Sequence, residues 1–225
     1  MRNAPSIVAA AKLSCLAMLG VATAVMPGCA NPSRSRDVSN PQVEATTLAR
    51  QVCSNCHGIS GNSVSPNFPN LAAQTPEYLV AQLKGFRSHD RRDPAGFEYM
   101  WGLSRKLTDQ QIEGLASYYA GQTLAPSQAA AAPSQMLAAG KAVFEEGVPA
   151  KNVPACTSCH GASGMGNGSF PRIAGQHADY VVKQLMVFQR THERAGGLAM
   201  EAVAHDLSRD DIESVATYVQ SMGRL

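Results

Sequence analysis

The residues Cys53-Ser54-Asn55-Cys56-His57 decide how this chain folds, and a second copy of the pattern follows at Cys156-Thr157-Ser158-Cys159-His160. Cys-x-x-Cys-His is the attachment signature of a c-type haem. Its two thiols add across the porphyrin vinyl groups as thioethers, and its histidine supplies an imidazole nitrogen to the iron. The sequence therefore predicts two covalently bound haem c groups, held by four cysteines and two axial histidines: Cys53, Cys56, Cys156, Cys159, His57 and His160.

Two other chemistries use a Cys-x-x-Cys pair. Two such pairs bind one zinc ion when about 15–20 residues separate them, and the separation here is several times longer. A redox dithiol of the thioredoxin type lies near a βαβ pattern, but the sequence has no sustained period-two alternation that would predict strands. Haem attachment therefore fits both copies better than either alternative.

Residues 1–28 are interpreted as a signal peptide. Arg2 and Lys12 are their only charges, and the apolar and small residues Leu13–Val25 form a run shorter than the roughly 20 apolar residues of a membrane helix. These two charges account for the difference between the 19 basic and 17 acidic side chains of the chain. A balanced charge without a basic stripe argues against nucleic-acid binding.

Cys29 follows in the stretch Met26-Pro27-Gly28-Cys29. This stretch resembles a bacterial lipobox, in which the cysteine is lipidated and becomes the mature N-terminus. We therefore expect a periplasmic protein with membrane attachment through a lipidated Cys29. Ordinary signal-peptidase cleavage is the alternative. Residues 29–43 are rich in Asn, Pro, Ser and Arg and are predicted to be a flexible tether.

Residues 122–135 are rich in Ala, Pro and Ser and are predicted to be a linker. They separate two halves, residues 44–121 and 136–225, which repeat each other: Asn67–Gln74 is matched by Ser169–Gln176. Each half is too short to build a large core of its own. We therefore expect each half to be a domain whose core is centred on its haem.

Capping residues predict where several helices begin. Thr75-Pro76 places a hydroxyl before a proline at the first helical position, whereas Thr108–Gln111 and Ser208–Asp211 are capping boxes. Helices are also expected at Glu44–Val52 and Leu137–Glu146, ahead of the haem motifs. The predicted fold class is all-α, with two tandem helical bundles, each wrapped round a covalent haem.

Met100 and Met200 are the candidates for the second axial ligand of each iron. Each lies seven residues before a leucine, Leu107 or Leu207, that precedes the last predicted helix of its half. Other methionines of the second half have no counterpart in the first. Equivalent methionines in two haem repeats indicate thioether ligation, which raises the reduction potential and leaves the iron no open position.

His89 and His192 lie at comparable places in the two halves and keep bis-histidine ligation open as an alternative. Arg92 and Arg194 follow them closely, and they either neutralise haem propionates or are solvated surface residues. The remaining polar residues singled out by the repeat or by their type are interpreted as surface or supporting groups: His177, His205, Gln74, Gln176, Tyr78 and Tyr180.

The order of these motifs resembles that of class I cytochromes c, and the duplication resembles the dihaem cytochrome c4 family over nearly all of residues 44–225. The resemblance implies two tandem class I cytochrome c domains and a periplasmic electron carrier, not an enzyme. Its partners would be redox proteins: a quinol-oxidising complex as donor and a terminal oxidase or reductase as acceptor. The segment Gly147–Pro154 is an insertion relative to the first half.

Two other functions remain as alternatives at this point. The chain could be the dihaem electron-transfer subunit of a dehydrogenase complex, such as a flavoprotein sulfide dehydrogenase, in which case a flavin or a catalytic chain would co-purify with it. A haem peroxidase would need a vacant or displaceable sixth position on at least one iron.

Overall fold

The computed structural model describes residues 31–127, 131–190, 192–194 and 196–222. The regular structure of these residues is helical, and extended pairing is limited to isolated bridges such as the one between Arg91 and Arg194, so the all-α prediction is confirmed. The predicted signal peptide and Cys29 lie outside the described residues. Within the described part, no helix has both the length and the apolar character needed to cross a membrane.

The first half contains five α-helices and two π turns. Helix α1 passes through the first π turn directly into α2, which ends at the histidine of the first haem motif, and the second π turn leads into α4. The elements are α1 Ala45–Leu48, the π turn Ala49–Cys53, α2 Ser54–His57, α3 Pro76–Arg87, the π turn Gly96–Met100, α4 Trp101–Ser104 and α5 Asp109–Ala120.

The described residues of the second half repeat this order of α-helices without the π turns. Its first helix begins three residues before the predicted start, and α7 ends at the histidine of the second motif. The elements are α6 Ser134–Glu146, α7 Thr157–His160, α8 Ala178–Arg190, α9 Leu198–Ala204 and α10 Arg209–Ser221. The short helices α4 and α9 were not predicted from the sequence.

The capping residues behave as predicted in two of three places. Thr108 with Gln111, and Ser208 with Asp211, form reciprocal capping boxes at the starts of α5 and α10. Helix α3 does begin at Pro76, but the Thr75 hydroxyl makes no capping bond, so that prediction was wrong. The side-chain oxygen of Gln74 accepts the Thr75 N–H instead, at 3.0 Å.

Each half closes where its first and last helices cross. Helix α1 packs on α5 and α6 packs on α10. A Cβ at Gly114 would overlap that of Ala45, and one at Gly140 would overlap the Ser214 carbonyl. A glycine at each crossing therefore allows the two helix backbones to approach closely.

Two separate apolar clusters surround these crossings. The first is built from Val43, Leu48, Ala49, Leu79, Leu107, Ile112, Leu115, Ala116 and Tyr119. The second is built from Val143, Phe144, Val153, Leu185, Phe188, Ala204, Leu207, Ile212, Val215 and Val219.

The insertion at residues 147–154 is part of the second cluster. Val148 and Val153 pair as an isolated bridge, and Val153 is buried. Lys151 at its tip lies 2.7 Å from the carboxylate of Asp211 in α10. The insertion therefore packs against the last helix of its own half.

Candidate haem-binding site

The first haem motif is a helical turn that fixes its histidine. Gly58, with φ of +75°, ends α2 immediately after His57. The Nδ1–H of His57 donates to the carbonyl of Pro69 at 2.9 Å, and only 8% of the residue is exposed. This bond sets the tautomer and the orientation of the ring and leaves Nε2 as the nitrogen that can bind a metal.

The second motif has the same geometry. The Nδ1–H of His160 donates to the carbonyl of Pro171 at 2.8 Å, and 7% of the residue is exposed. Pro69 and Pro171 lie at equivalent places in the repeat. Sequence reasoning noted the repeated segment but missed this role of its proline carbonyl.

The histidines of both motifs are held in the protonation state that binds a metal. Burial lowers the pKa of His57 and of His160 and outweighs the opposing effect of their bonds to carbonyl oxygens, so both imidazoles are neutral, as metal binding requires. Burial raises the pKa of the Cys53 and Cys156 thiols to about 11. None of the four motif cysteines forms a disulfide with another described residue.

One continuous cavity of about 1960 Å³ connects the two motifs. Ligand pockets of about 300–1,000 Å³ bury a drug-sized molecule, so this cavity has room for two large planar groups. The residues present, with four thiols and two oriented imidazoles, fit two covalent haem c groups. All eight predicted site residues line it: Cys53, Cys56, His57, Met100, Cys156, Cys159, His160 and Met200.

The two methionines reach the cavity from different local structures. Met100 is the last residue of the π turn Gly96–Met100, and Met200 lies inside α9. The first half has one more residue between Gly96 and Met100 than the second has between Gly197 and Met200. The wider π turn takes up this residue, and the seven-residue spacing to the following leucine is the same in both halves.

The other four histidines lie outside the described lining of the cavity. His89 stacks between Phe97 and Trp101, with ring centroids 5.5 and 4.8 Å away. The side chain of His192 is 91% exposed and pairs with Glu201. Nothing in this geometry favours the bis-histidine alternative.

The residue equivalent to Arg194 is Arg91, not Arg92, which corrects the sequence pairing. Arg91 and Arg194 are both buried, they pair as an antiparallel bridge, and Arg92 is exposed. The guanidinium carbons lie 4.4 and 4.6 Å from the ring centroids of Phe86 and Phe188. The pairing by sequence failed because loop lengths differ between the halves.

These arginines join the two halves through a buried polar cluster. Arg91 donates to Gln82 at 2.5 Å, to Asp93 at 2.7 Å and to Gln184 at 3.4 Å. Arg194 donates to Gln184 and, at 2.6 Å, to the Tyr78 hydroxyl. The cluster lies beside the haem cavity, where Arg91 and Arg194 are suited to pairing with haem propionates.

Gln74 and Gln176 form a reciprocal contact between the halves. The Asn70 N–H donates to Gln176 Oε1 at 2.8 Å, and Gln176 Nε2 donates to the Asn70 carbonyl at 3.0 Å. The Arg172 N–H donates to Gln74 Oε1 at 2.6 Å, and Gln74 Nε2 donates to the Arg172 carbonyl at 3.0 Å. The repeated position of these glutamines was the only sequence signal for this role.

Arg172 is a deeply buried charge of this interface, with 1% exposure. Its guanidinium donates to the carbonyls of Ala174 and Asn70, the latter at 3.0 Å. Burial lowers its pKa to about 10. It stands where the first half has Asn70, so the second half contributes an extra positive charge to the interface.

Two covalent haem motifs in one all-α chain define a dihaem c-type cytochrome, and such cytochromes are electron-transfer proteins. The family model described as cytochrome c matches residues 43–121 and 137–223. The chain belongs to the cytochrome c4 family. It is 39% identical to the cytochrome c4 of Pseudomonas aeruginosa over 176 residues, which are 76% of this chain and 84% of that protein.

Comparisons of structure and sequence agree on this family. The solved cytochrome c4 of Acidithiobacillus ferrooxidans matches with a TM-score of 0.69 and 37% identity, covering 75% of this chain and 97% of that one. A thiosulfate dehydrogenase electron acceptor of Stutzerimonas stutzeri is 32% identical over 180 residues, covering 78% of this chain and 81% of that protein. The expected family, the dihaem cofactor content and the electron-transfer function are confirmed.

Proposed function

We propose that this chain carries single electrons between respiratory complexes in the periplasm through two haems with histidine and methionine ligands. The donor is a quinol-oxidising complex and the acceptor a terminal oxidase or reductase. A c-type haem supplies reversible one-electron chemistry when bound. The axial pairs are His57 with Met100 and His160 with Met200. The observation that carries this proposal is that both pairs line one cavity and that both histidines have their Nδ1 occupied.

The chain's own residues support the role of a carrier. The imidazoles are held in the neutral form that metal binding requires. With Met100 and Met200 as the second ligands, the bound irons would have no open position for oxygen or peroxide. No catalytic residue is proposed.

The test is carbon monoxide binding followed by visible spectroscopy. The unaltered reduced protein should bind carbon monoxide weakly and its ferric form should show sulfur-to-iron absorption. Met100→Ala should open one iron and Met200→Ala the other, each giving one carbon monoxide per chain. Met186→Ala, a cavity-lining methionine without a repeat partner, is the control and should change neither property. Tight binding to both irons of the unaltered protein would contradict the proposal.

A second function is supported by the similarity to thiosulfate dehydrogenase electron acceptors. In that case the electron donor is a dehydrogenase and not a quinol-oxidising complex. This agrees with the alternative in which the chain is the electron-transfer subunit of a dehydrogenase complex. Stopped-flow reduction of the purified cytochrome by a thiosulfate dehydrogenase and by a quinol-oxidising complex separates the two. The faster donor at equal concentration identifies the function.

We also propose that a lipid on Cys29 attaches the protein to the membrane, which the lipobox resemblance supports. Mass spectrometry of the mature protein tests this directly. Lipid mass on an N-terminal Cys29 is the expected result, together with release into the soluble fraction in Cys29→Ser. A mature chain that lacks Cys29 contradicts it.

A further inference from the structure

The peptide unit between Pro69 and Asn70 connects the first axial histidine to the second half of the molecule. Its carbonyl accepts the Nδ1–H of His57 at 2.9 Å, and its N–H donates to Gln176 Oε1 at 2.8 Å. One amide group therefore bonds a haem ligand on one side and a side chain of the opposite half on the other.

The same arrangement occurs in the other direction. The peptide unit between Pro171 and Arg172 accepts the Nδ1–H of His160 at 2.8 Å, and its N–H donates to Gln74 Oε1 at 2.6 Å. Gln74 and Gln176 are 5% and 4% exposed, so water does not compete at these bonds. Two hydrogen-bond chains thus cross the interface in opposite directions.

Hydrogen bonds in such a chain strengthen one another. When an amide N–H donates, its carbonyl oxygen becomes more negative and a better acceptor. A stronger acceptor at Nδ1 makes the imidazole a more basic ligand, which favours the ferric iron and lowers the reduction potential. The low dielectric of a buried interface increases this effect.

We propose that each glutamine tunes the reduction potential of the haem in the opposite half: Gln176 acts on the haem of His57, and Gln74 on the haem of His160. Both are positioning residues: they line the haem cavity, but they are proposed to act through a backbone amide and not as iron ligands. The inference rests on the axial roles of His57 and His160 proposed above. It assigns a redox function to an interface contact that would otherwise serve only to hold the halves together.

The central experiment compares Gln176→Met and Gln74→Met in the full dihaem protein. Methionine keeps the length of the side chain but removes the carbonyl acceptor. In Gln176→Met, the equilibrium constant for reduction of the His57 haem should rise about three- to tenfold, and tenfold corresponds to about 59 mV for one electron. The reduction potential of the His160 haem should change by only a small fraction of that shift. Gln74→Met should give the reverse pattern.

Gln176→Glu tests the sign of the effect. An ionised carboxylate accepts from the Asn70 N–H more strongly than an amide, so the potential of the His57 haem should fall. If the substitutions acted only by opening the interface, the potential of the His57 haem would move in the same direction in Gln176→Met and Gln176→Glu. The Glu variant also serves if the Met variant does not retain both haems.

The control is Gln220→Met. Gln220 Oε1 accepts the Ala178 N–H at 2.8 Å within the second half and contacts neither proline peptide. Its loss should leave both potentials unchanged. If Gln220→Met shifts a potential as far as the interface variants do, the effect is general loosening of the second half.

A direct readout is the Nδ1 proton of each axial histidine in the reduced protein, observed by ¹⁵N-edited NMR with the haem methyl resonances assigned to each half. Gln176→Met should move the His57 Nδ1 proton to lower frequency, as expected for a weaker hydrogen bond, and leave that of His160 in place. Equal shifts of both haems, a shift confined to the half that carries the substitution, or no shift in either potential would overturn the inference. If the ferric form of the unaltered protein lacked the sulfur-to-iron absorption, the proposed ligation would be overturned instead.

Discussion

Arg91 in the first half and Arg194 in the second occupy equivalent buried places, but their surroundings differ. Arg91 lies 2.7 Å from the carboxylate of Asp93, which is itself 1% exposed. The shorter segment between Arg194 and Gly197 contains only Ala195 and Gly196 and so has no acidic residue, and no carboxylate of the described residues bonds Arg194. With Arg172 replacing Asn70 as well, the repeat has kept its fold while its buried charge has become unequal between the halves.

This difference indicates which parts of a duplicated domain are free to diverge. The haem motifs, the proline carbonyls and the capping boxes are retained in both copies. The charges at the interface are not, because one buried surface made by two different domains needs only a single set of charge partners.

The largest expected effect comes from Asp93→Asn, which gives the first half the acid-free surroundings of the second. Removing one partner of a buried ion pair leaves an uncompensated charge and costs about 3 kcal/mol of unfolding free energy. Urea denaturation of the haem-loaded protein measures this. Asp109→Asn breaks the more exposed pair with Arg87 and should cost far less. If both variants lost the same unfolding free energy, the buried pair of Asp93 with Arg91 would contribute no more than the exposed pair of Asp109 with Arg87.

An intermediate effect is expected from the glycines that follow the two haem motifs. Gly58 and Gly161 have φ of +75° and +79°, so alanine at either place costs about 1–2 kcal/mol. A Cβ at Gly58 would also overlap the Asn62 carbonyl. A Cβ at Gly161 would meet no atom of the described residues within 4 Å, apart from its chain neighbours. Gly58→Ala should therefore lose about 1 kcal/mol more than Gly161→Ala. Thermal unfolding of both variants checks the difference, and equal melting temperatures would show that the loop after Gly58 can yield.

The smallest effect is a pH dependence at the capping box of the last helix, which is expected in the second half and not in the first. At the third position of its last helix the first half has Gln111 and the second Asp211, which bonds Ser208 and Lys151. Burial alone would raise the pKa of Asp211, but the bonds from Lys151 and Ser208 outweigh it and lower the pKa. The contribution of Asp211 is therefore complete above the unfolded pKa near 3.8 and is lost as the pH falls through the lower folded value.

Asp211→Asn should accordingly lose about 0.5–1 kcal/mol at pH 7 and nothing at a pH below the folded pKa. Gln111→Met removes the neutral counterpart in the first half. The unfolding free energy that this variant loses should not change with pH. Parallel denaturation series at several pH values make the measurement. A pH-independent loss in Asp211→Asn would show that its carboxylate charge contributes nothing.

The sequence was sufficient for most features that depend on local spacing, although the Thr75 cap was wrong and α4 and α9 were missed. The haem motifs, the capping boxes at Thr108 and Ser208 and the equivalence of Met100 and Met200 all rest on residues close together in the chain. The contacts of Gln74 and Gln176 join residues about a hundred positions apart and exist only once the two halves pack, so no local pattern could reveal them. Arg92 was chosen over Arg91 because unequal loops shift the register of the repeat.

The π turn Gly96–Met100 adds one residue to the rim of the haem cavity in the first half. Met100 nevertheless keeps the same spacing to Leu107 that Met200 has to Leu207. Phe97 and Tyr99 of this turn are 58% and 55% exposed. Because the length change is absorbed within one helical turn, this edge of the molecule can vary during evolution without displacing the sulfur behind it. The exposed aromatic edge at Phe97 and Tyr99 is in this way mechanically separated from Met100, the proposed axial ligand.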